Sequence, residues 1–157
     1  MTEALAKTLL QKALAAGKTV TTAESCTGGK VAAAITDIAG SSAIFERGFV
    51  TYSNIAKQEM LGVAAATLEA HGAVSEEVAR EMALGALSRA KADVAVAISG
   101  IAGPGGSEFK PEGRVCYACA TTEGVTTQTI EHGALGRAEV RQAATQEALR
   151  LLISGLG

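Results

Sequence analysis

The chain has 157 residues, a formal net charge of -2, 48% hydrophobic residues and 19% charged residues. That is the length of one compact domain, able to bury about 70% of its unfolded surface without disulfide or metal staples and too apolar for intrinsic disorder. Mild acidity and an aromatic content of 3% provide neither a basic surface for nucleic acid nor a stacking platform for bases.

Residues 3–16 place Leu5, Leu9, Leu10, Ala13 and Leu14 at helical spacing, and Gly17 suits the left-handed residue that ends such a helix. Residues 18–24 (KTVTTAE) are β-branched and predict a strand. Ser25-Cys26-Thr27-Gly28-Gly29 breaks the chain, and residues 30–39 read as a helix. A second strand is predicted over 43–52, then a short helix at 53–61 stopped by Gly62, and a small helix at 65–71. Ser75 can cap a helix over 76–91, with Val78, Met82, Leu87 and Ala90 along one stripe and Glu76 and Glu77 in its first turn. Residues 93–99 (DVAVAIS) predict a buried strand. A long loop, 100–113, holds both prolines; residues 114–121 and 125–130 suit a hairpin around Glu123-Gly124. A final helix over 137–153 turns Val140, Ala144, Ala148, Leu151 and Leu152 inward. Helices interleaved with strands, plus one hairpin, imply a three-layer α/β/α fold with a mixed, mostly parallel sheet, residues 1–157 forming one domain.

The inventory of reactive side chains is short: His71, His132, Asp37, Asp93, Cys26, Cys116 and Cys119. It leaves little for a multi-histidine or carboxylate-rich metal site, so no metal or other cofactor is expected. Cys116-x-x-Cys119 looks like a redox or zinc motif, but on a strand its two thiols point to opposite faces and no second cysteine pair exists. Three unevenly placed cysteines suit a reducing compartment. No apolar run reaches membrane-spanning length, and Glu3, Lys7, Gln11 and Lys12 argue against a signal peptide. A cytoplasmic protein with no membrane or nucleic-acid partner is expected, and the Ala- and Gly-rich surface suits a homo-oligomer, a dimer in the simplest case.

Two constellations point to nucleophilic chemistry. In Ala23-Glu24-Ser25-Cys26-Thr27-Gly28-Gly29 a hydroxyl sits where a strand feeds a helix, beside amides that have no helical partner and can hold an anion or an oxyanion. The same pattern also serves as an ordinary capped turn. In Thr51-Tyr52-Ser53-Asn54-Ile55-Ala56-Lys57, Tyr52 ends a strand and Lys57 falls in the helix after it. Ligand sites of open α/β sheets form at the carboxyl ends of strands, so both face Ser25 if the strands run parallel, and a desolvated lysine can then serve the serine as base. A solvated lysine and half-buried tyrosine is the plainer alternative. Ser99 to Ser107 (SGIAGPGGS) follows the most apolar strand and can cradle an anion through its backbone or act as a lid. Arg137 and Arg141, one turn apart, can join a helix N-terminus in holding a phosphate, or can be surface charges.

The blocks AESCTGG, GSSAIFERGFVTYSNIAK, HGAVSE, SGIAGPGG and KPEG together resemble the CinA C-terminal domain family, particularly its stand-alone members, the nicotinamide-nucleotide amidases. The resemblance runs from about Thr21 to Arg141. It implies a three-layer α/β/α fold and hydrolysis of the carboxamide of nicotinamide mononucleotide (NMN) to nicotinate mononucleotide and ammonia, with no metal. It further implies Ser25 as nucleophile and Tyr52 and Lys57 as its catalytic partners. With that substrate in mind, Glu24, Cys26, Thr27, Gly28, Gly29, Gly100, Gly103, Gly105, Gly106, Arg137 and Arg141 are the candidates for substrate binding. The chain departs from the family in a Pro-Gly loop one residue shorter than in many relatives, and in Glu112 and Arg114 where valine and threonine are common. Many relatives also carry an N-terminal pyrophosphatase domain, for which 157 residues are expected to leave no room. Two other readings compete: a cysteine amidase using Cys26 with Glu24 and Lys57, and a non-enzymatic nucleotide-binding or competence- and damage-related module using the same pocket.

Overall fold

The structure, a computed structural model, describes residues 1–157. Its helices are α1 (Thr2–Ala16), α2 (Lys30–Thr36), α3 (Asn54–Leu61), α4 (Ala65–His71), α5 (Glu76–Ala90) and α6 (Arg137–Gly155); its strands are β1 (Val20–Glu24), β2 (Phe49–Val50), β3 (Val94–Gly100), β4 (Arg114–Thr121) and β5 (Gly124–Glu131). Expected local signals set several ends. Gly17 adopts the left-handed conformation after α1, and the Ser53 and Ser75 hydroxyls accept the Ala56 and Val78 amides to cap α3 and α5.

The five strands form one sheet in the order β2-β1-β3-β4-β5. β1 pairs parallel with both β2 and β3, whereas β4 and β5 return as an antiparallel hairpin. Four of the five strands therefore point the same way, giving the mixed, mostly parallel sheet expected. α5 packs on one face beside α3 and α4; α1, α2 and α6 pack on or above the other. Each interface has its own core. One gathers Leu9, Ile35, Val96, Ile98, Tyr117, Leu149 and Leu152; the other gathers Leu61, Met82, Ala83, Ala95, Ala97 and Ala118. β3 is buried on both faces, and its alanines let α5 lie close to the sheet. Cys116 and Cys119 fall in opposite cores, as strand alternation requires.

The strand expected over 43–52 is largely something else. Ser41–Ala43 form a 3-10 turn, Phe45 makes an isolated bridge to Val20, and only Phe49–Val50 pair as a strand. Between them the Arg47 carbonyl turns to accept the Thr21 hydroxyl at 2.7 Å. Gly48 packs so closely on Thr22 and Phe45 that a Cβ there would overlap them. The edge strand is thereby reduced to two residues, a length that resists pairing with foreign strands.

Candidate active site

The parallel strands β2, β1 and β3 bring their carboxyl ends side by side, and the residues that follow them line one cleft of about 480 Å³. β1 delivers Ser25 and Cys26, the segment after β2 delivers Tyr52, Ser53, Asn54 and Lys57, and β3 leads into Gly100–Ser107. Arg137 reaches in from the start of α6.

The turn carrying Ser25 is held from both sides. Glu24, wholly buried, accepts the Thr27 hydroxyl at 2.6 Å and the amides of Gly29, Val31 and Ala32 at 3.2, 3.0 and 3.0 Å. A carboxylate on the first amides of α2 satisfies donors that the helix leaves free and complements its dipole. Arg141 grips the opposite polarity, donating to the main-chain oxygens of Cys26 and Thr27 at 3.0 and 3.1 Å. Within the turn the Gly28 amide bonds to Ser25 O and the Lys30 amide to Thr27 O, while Ser25 N bonds to Ile98 O. The amides of Cys26 and Thr27 are the two that donate to no protein acceptor.

Lys57 is the unusual group of the site. Its side chain is 1% exposed, and its Nζ lies 3.0 Å from Ser25 Oγ, 3.1 Å from Thr51 O and 3.3 Å from Tyr52 O. Burial lowers its proton affinity below the ordinary lysine range, only partly offset by the nearby Cys26 and Glu108. A neutral amine has two hydrogens and a lone pair. It can donate to the two carbonyls and turn the lone pair to the Ser25 hydroxyl, an arrangement suited to removing the serine's proton.

Tyr52 meets Lys57 through its main-chain oxygen. Its hydroxyl is held elsewhere, 2.7 Å from Arg137 Nη2, and its ring is largely exposed at the rim of the cleft. Arg137 Nη1 also donates to Gly103 O at 2.7 Å, so one guanidinium joins the tyrosine to the glycine loop. Glu112 braces that loop, accepting the Gly105 amide at 2.8 Å and the Gly136 amide at 2.9 Å.

Ser25, Cys26, Tyr52, Lys57, Gly100, Gly103, Gly105, Gly106 and Arg137 all line the cleft. Glu24, Thr27, Gly28, Gly29 and Arg141 stand behind it, engaged in building the turn. Thr51, Asn54, Ser99 and Glu108 are additions to the sequence-based candidates. Thr51 acts through a backbone carbonyl, which no residue type announces; Asn54 lies inside the Thr51–Lys57 motif, and Ser99 and Glu108 bound the glycine loop.

Cys26 borders the cleft but is 4% exposed, and burial pushes its thiol up to about 12, so it stays protonated at neutral pH. His132 lies outside the cleft, its Nε2 2.6 Å from the hydroxyl of fully buried Tyr117. No three metal-binding side chains come together.

The model of the CinA C-terminal domain matches residues 2–156. The chain belongs to the CinA C-terminal domain family. It is 63% identical over 141 residues to the nicotinamide-nucleotide amidohydrolase PncC of Escherichia coli K12, an alignment covering 88% of this chain and 84% of that one. With the protein of the same name from Enterobacter agglomerans it shares 58% identity over 144 residues, 88% of each chain. Among solved structures, the competence/damage inducible protein CihA of Agrobacterium tumefaciens superposes with a TM-score of 0.95 at 49% identity, covering 98% of this chain and 94% of that one. A CinA-superfamily protein from Klebsiella pneumoniae also reaches 0.95, at 39% identity, covering 99% and 98% of the two chains.

Proposed function

We propose that this CinA-family chain is a nicotinamide-nucleotide amidase that hydrolyses the carboxamide of NMN to nicotinate mononucleotide and ammonia, in the recycling of pyridine nucleotides in the cytoplasm. The observation that carries the reading is the buried Lys57 amine, 3.0 Å from the Ser25 hydroxyl at the floor of the strand-end cleft. The names of relatives at 63% and 58% identity support the choice of substrate.

Neutral Lys57 takes the proton of Ser25 as Oγ attacks the carboxamide carbon. The carbonyl electron pair moves to oxygen, and the unpartnered amide of Cys26, at the edge of the cleft, receives the oxyanion. Lys57 then protonates the amide nitrogen, the C–N bond breaks, and ammonia departs from a nicotinoyl ester on Ser25. A water gives its proton to Lys57 and attacks the ester; Ser25 regains that proton and nicotinate mononucleotide leaves. Tyr52 positions Lys57 through its main-chain oxygen, while its hydroxyl stays with Arg137 at the rim of the cleft. Arg137, the exposed cation of the cleft, receives the substrate phosphate; Arg141 is occupied by the turn.

The test is ammonia release from NMN, its riboside and free nicotinamide. Ser25→Ala should abolish release from NMN while Cys26→Ala keeps most of it; the opposite pattern transfers the reaction to the thiol. Tight NMN binding without ammonia release would instead make the chain a nucleotide-binding module.

A further inference from the structure

The cleft is asymmetric in charge. Glu108 is the one carboxylate among its lining residues, and Arg137 the one exposed cation. Glu108 makes no hydrogen bond or ion pair within the chain, unlike Glu24 and Glu112, whose oxygens are fully engaged.

Its placement is constructed. Ser107 and Lys110 exchange main-chain hydrogen bonds at 2.9 and 2.7 Å around Glu108 and Phe109, whose φ values are +52° and +64°. Two consecutive left-handed residues between paired neighbours make a tight hairpin turn that normally selects asparagine and glycine, so Glu108 and Phe109 hold it against their own backbone preference. Lys110 pins the hairpin down by donating to the main-chain oxygens of His71 and Val74. The Glu108 carboxylate lies over Gly72, where any Cβ would overlap it. Its charge favours the protonated form of Lys57, which lines the same cleft. A carboxylate is thus held, unpaired and against local backbone preference, at the wall of the cleft that holds Ser25 and Lys57.

The nicotinamide ring of NMN, alkylated at its nitrogen, carries a fixed positive charge, and the carboxamide stands two ring bonds from that nitrogen. We propose that Glu108 is a specificity-determining residue that recognises the pyridinium cation, so that the cleft selects positively charged N-substituted pyridine carboxamides over uncharged amides. This rests on the amidase reading for the class of ligand. The substrate then lies as a zwitterion along the cleft, its ring toward Glu108 and its phosphate toward Arg137. The same carboxylate repels the carboxylate of the product and favours its release.

The experiment compares Ser25→Ala with Ser25→Ala/Glu108→Gln by calorimetry, using NMN and its 1,4-dihydro form, whose ring is uncharged. Loss of the carboxylate should weaken NMN binding about three- to fivefold at low ionic strength, less at physiological salt, and leave the dihydro nucleotide unaffected. In the active enzyme Glu108→Gln should raise KM for NMN with kcat at saturation retained, while Glu123→Gln, on the distant hairpin, changes neither. Equal weakening for both ligands, no weakening, or no binding of NMN overturns the assignment. Failure of the wild-type chain to release ammonia while the charge preference persists overturns only the amidase reading.

Discussion

Lys57 shows how one buried group ties reactivity to stability. Its amine has left water for a site of two carbonyls and a hydroxyl, so the neutral form is favoured and its proton affinity is lowered. Activity should therefore rise with pH as Lys57 loses its proton, with an acid limb set below the ordinary lysine value of 10.5. The sign for stability follows from linkage. Between the lowered folded value and 10.5 the unfolded chain binds more protons, so stability also rises with pH across that window. Lys57→Met should cut kcat by about a hundredfold or more while removing this alkaline rise in Tm. A variant that kept full activity at neutral pH would exclude lysine as the base. Cys26 makes the opposite prediction. Its thiol, pushed up to about 12, should resist alkylation in the folded protein at neutral pH, measurable by mass spectrometry after iodoacetamide.

At the scale of elements, the serine is positioned by a turn fastened to its surroundings by opposite charges. Glu24→Gln offers one acceptor oxygen where four donors converge, and sets an NH2 group against N–H groups. It should cost about 1–3 kcal/mol, a fall in Tm of about 2–4 °C per kcal/mol in calorimetry, with activity lost in parallel. α3 depends on a different device. Gly85 lets α5 pass so close to the end of α3 that a Cβ would overlap the Leu61 carbonyl. Gly85→Ala should destabilise by about 1–3 kcal/mol and, by displacing the helix that carries Lys57, lower kcat more than KM. The helices, the hairpin and the placing of Ser25, Tyr52 and Lys57 at strand ends were legible from periodicity, caps and glycine punctuation, because those signals are local. The fate of residues 43–52 was not: Gly48 folds there to meet Thr22 and Phe45, contacts that the alternation of side chains does not encode. The bracing work of Glu24 and Arg141 was hidden too. Both were visible as charges beside an anion-binding pattern, but only the packing of α6 across the turn settles whether a cation faces substrate or backbone.

Across the whole molecule the two cores flank a sheet whose central strands have no exposed face, so the strand ends that carry the cleft rest on a base packed from both sides. In the proposed mechanism the chemistry there is carried by a hydroxyl, an amine and backbone amides. Under that mechanism chelators such as EDTA should leave ammonia release unchanged; loss of activity reversed by a divalent metal would overturn it. The reach of Arg141 has a consequence for how the molecule comes into being. It joins Cys26 O across 115 positions of sequence, while chains are synthesised from the amino terminus at about 5–20 residues per second. The turn that carries Ser25 leaves the ribosome 115 positions ahead of Arg141, so its clamp closes only once α6 has emerged. The nascent chain therefore carries Ser25 on an unfastened turn until that helix follows it out, and activity should switch on abruptly, as α6 docks.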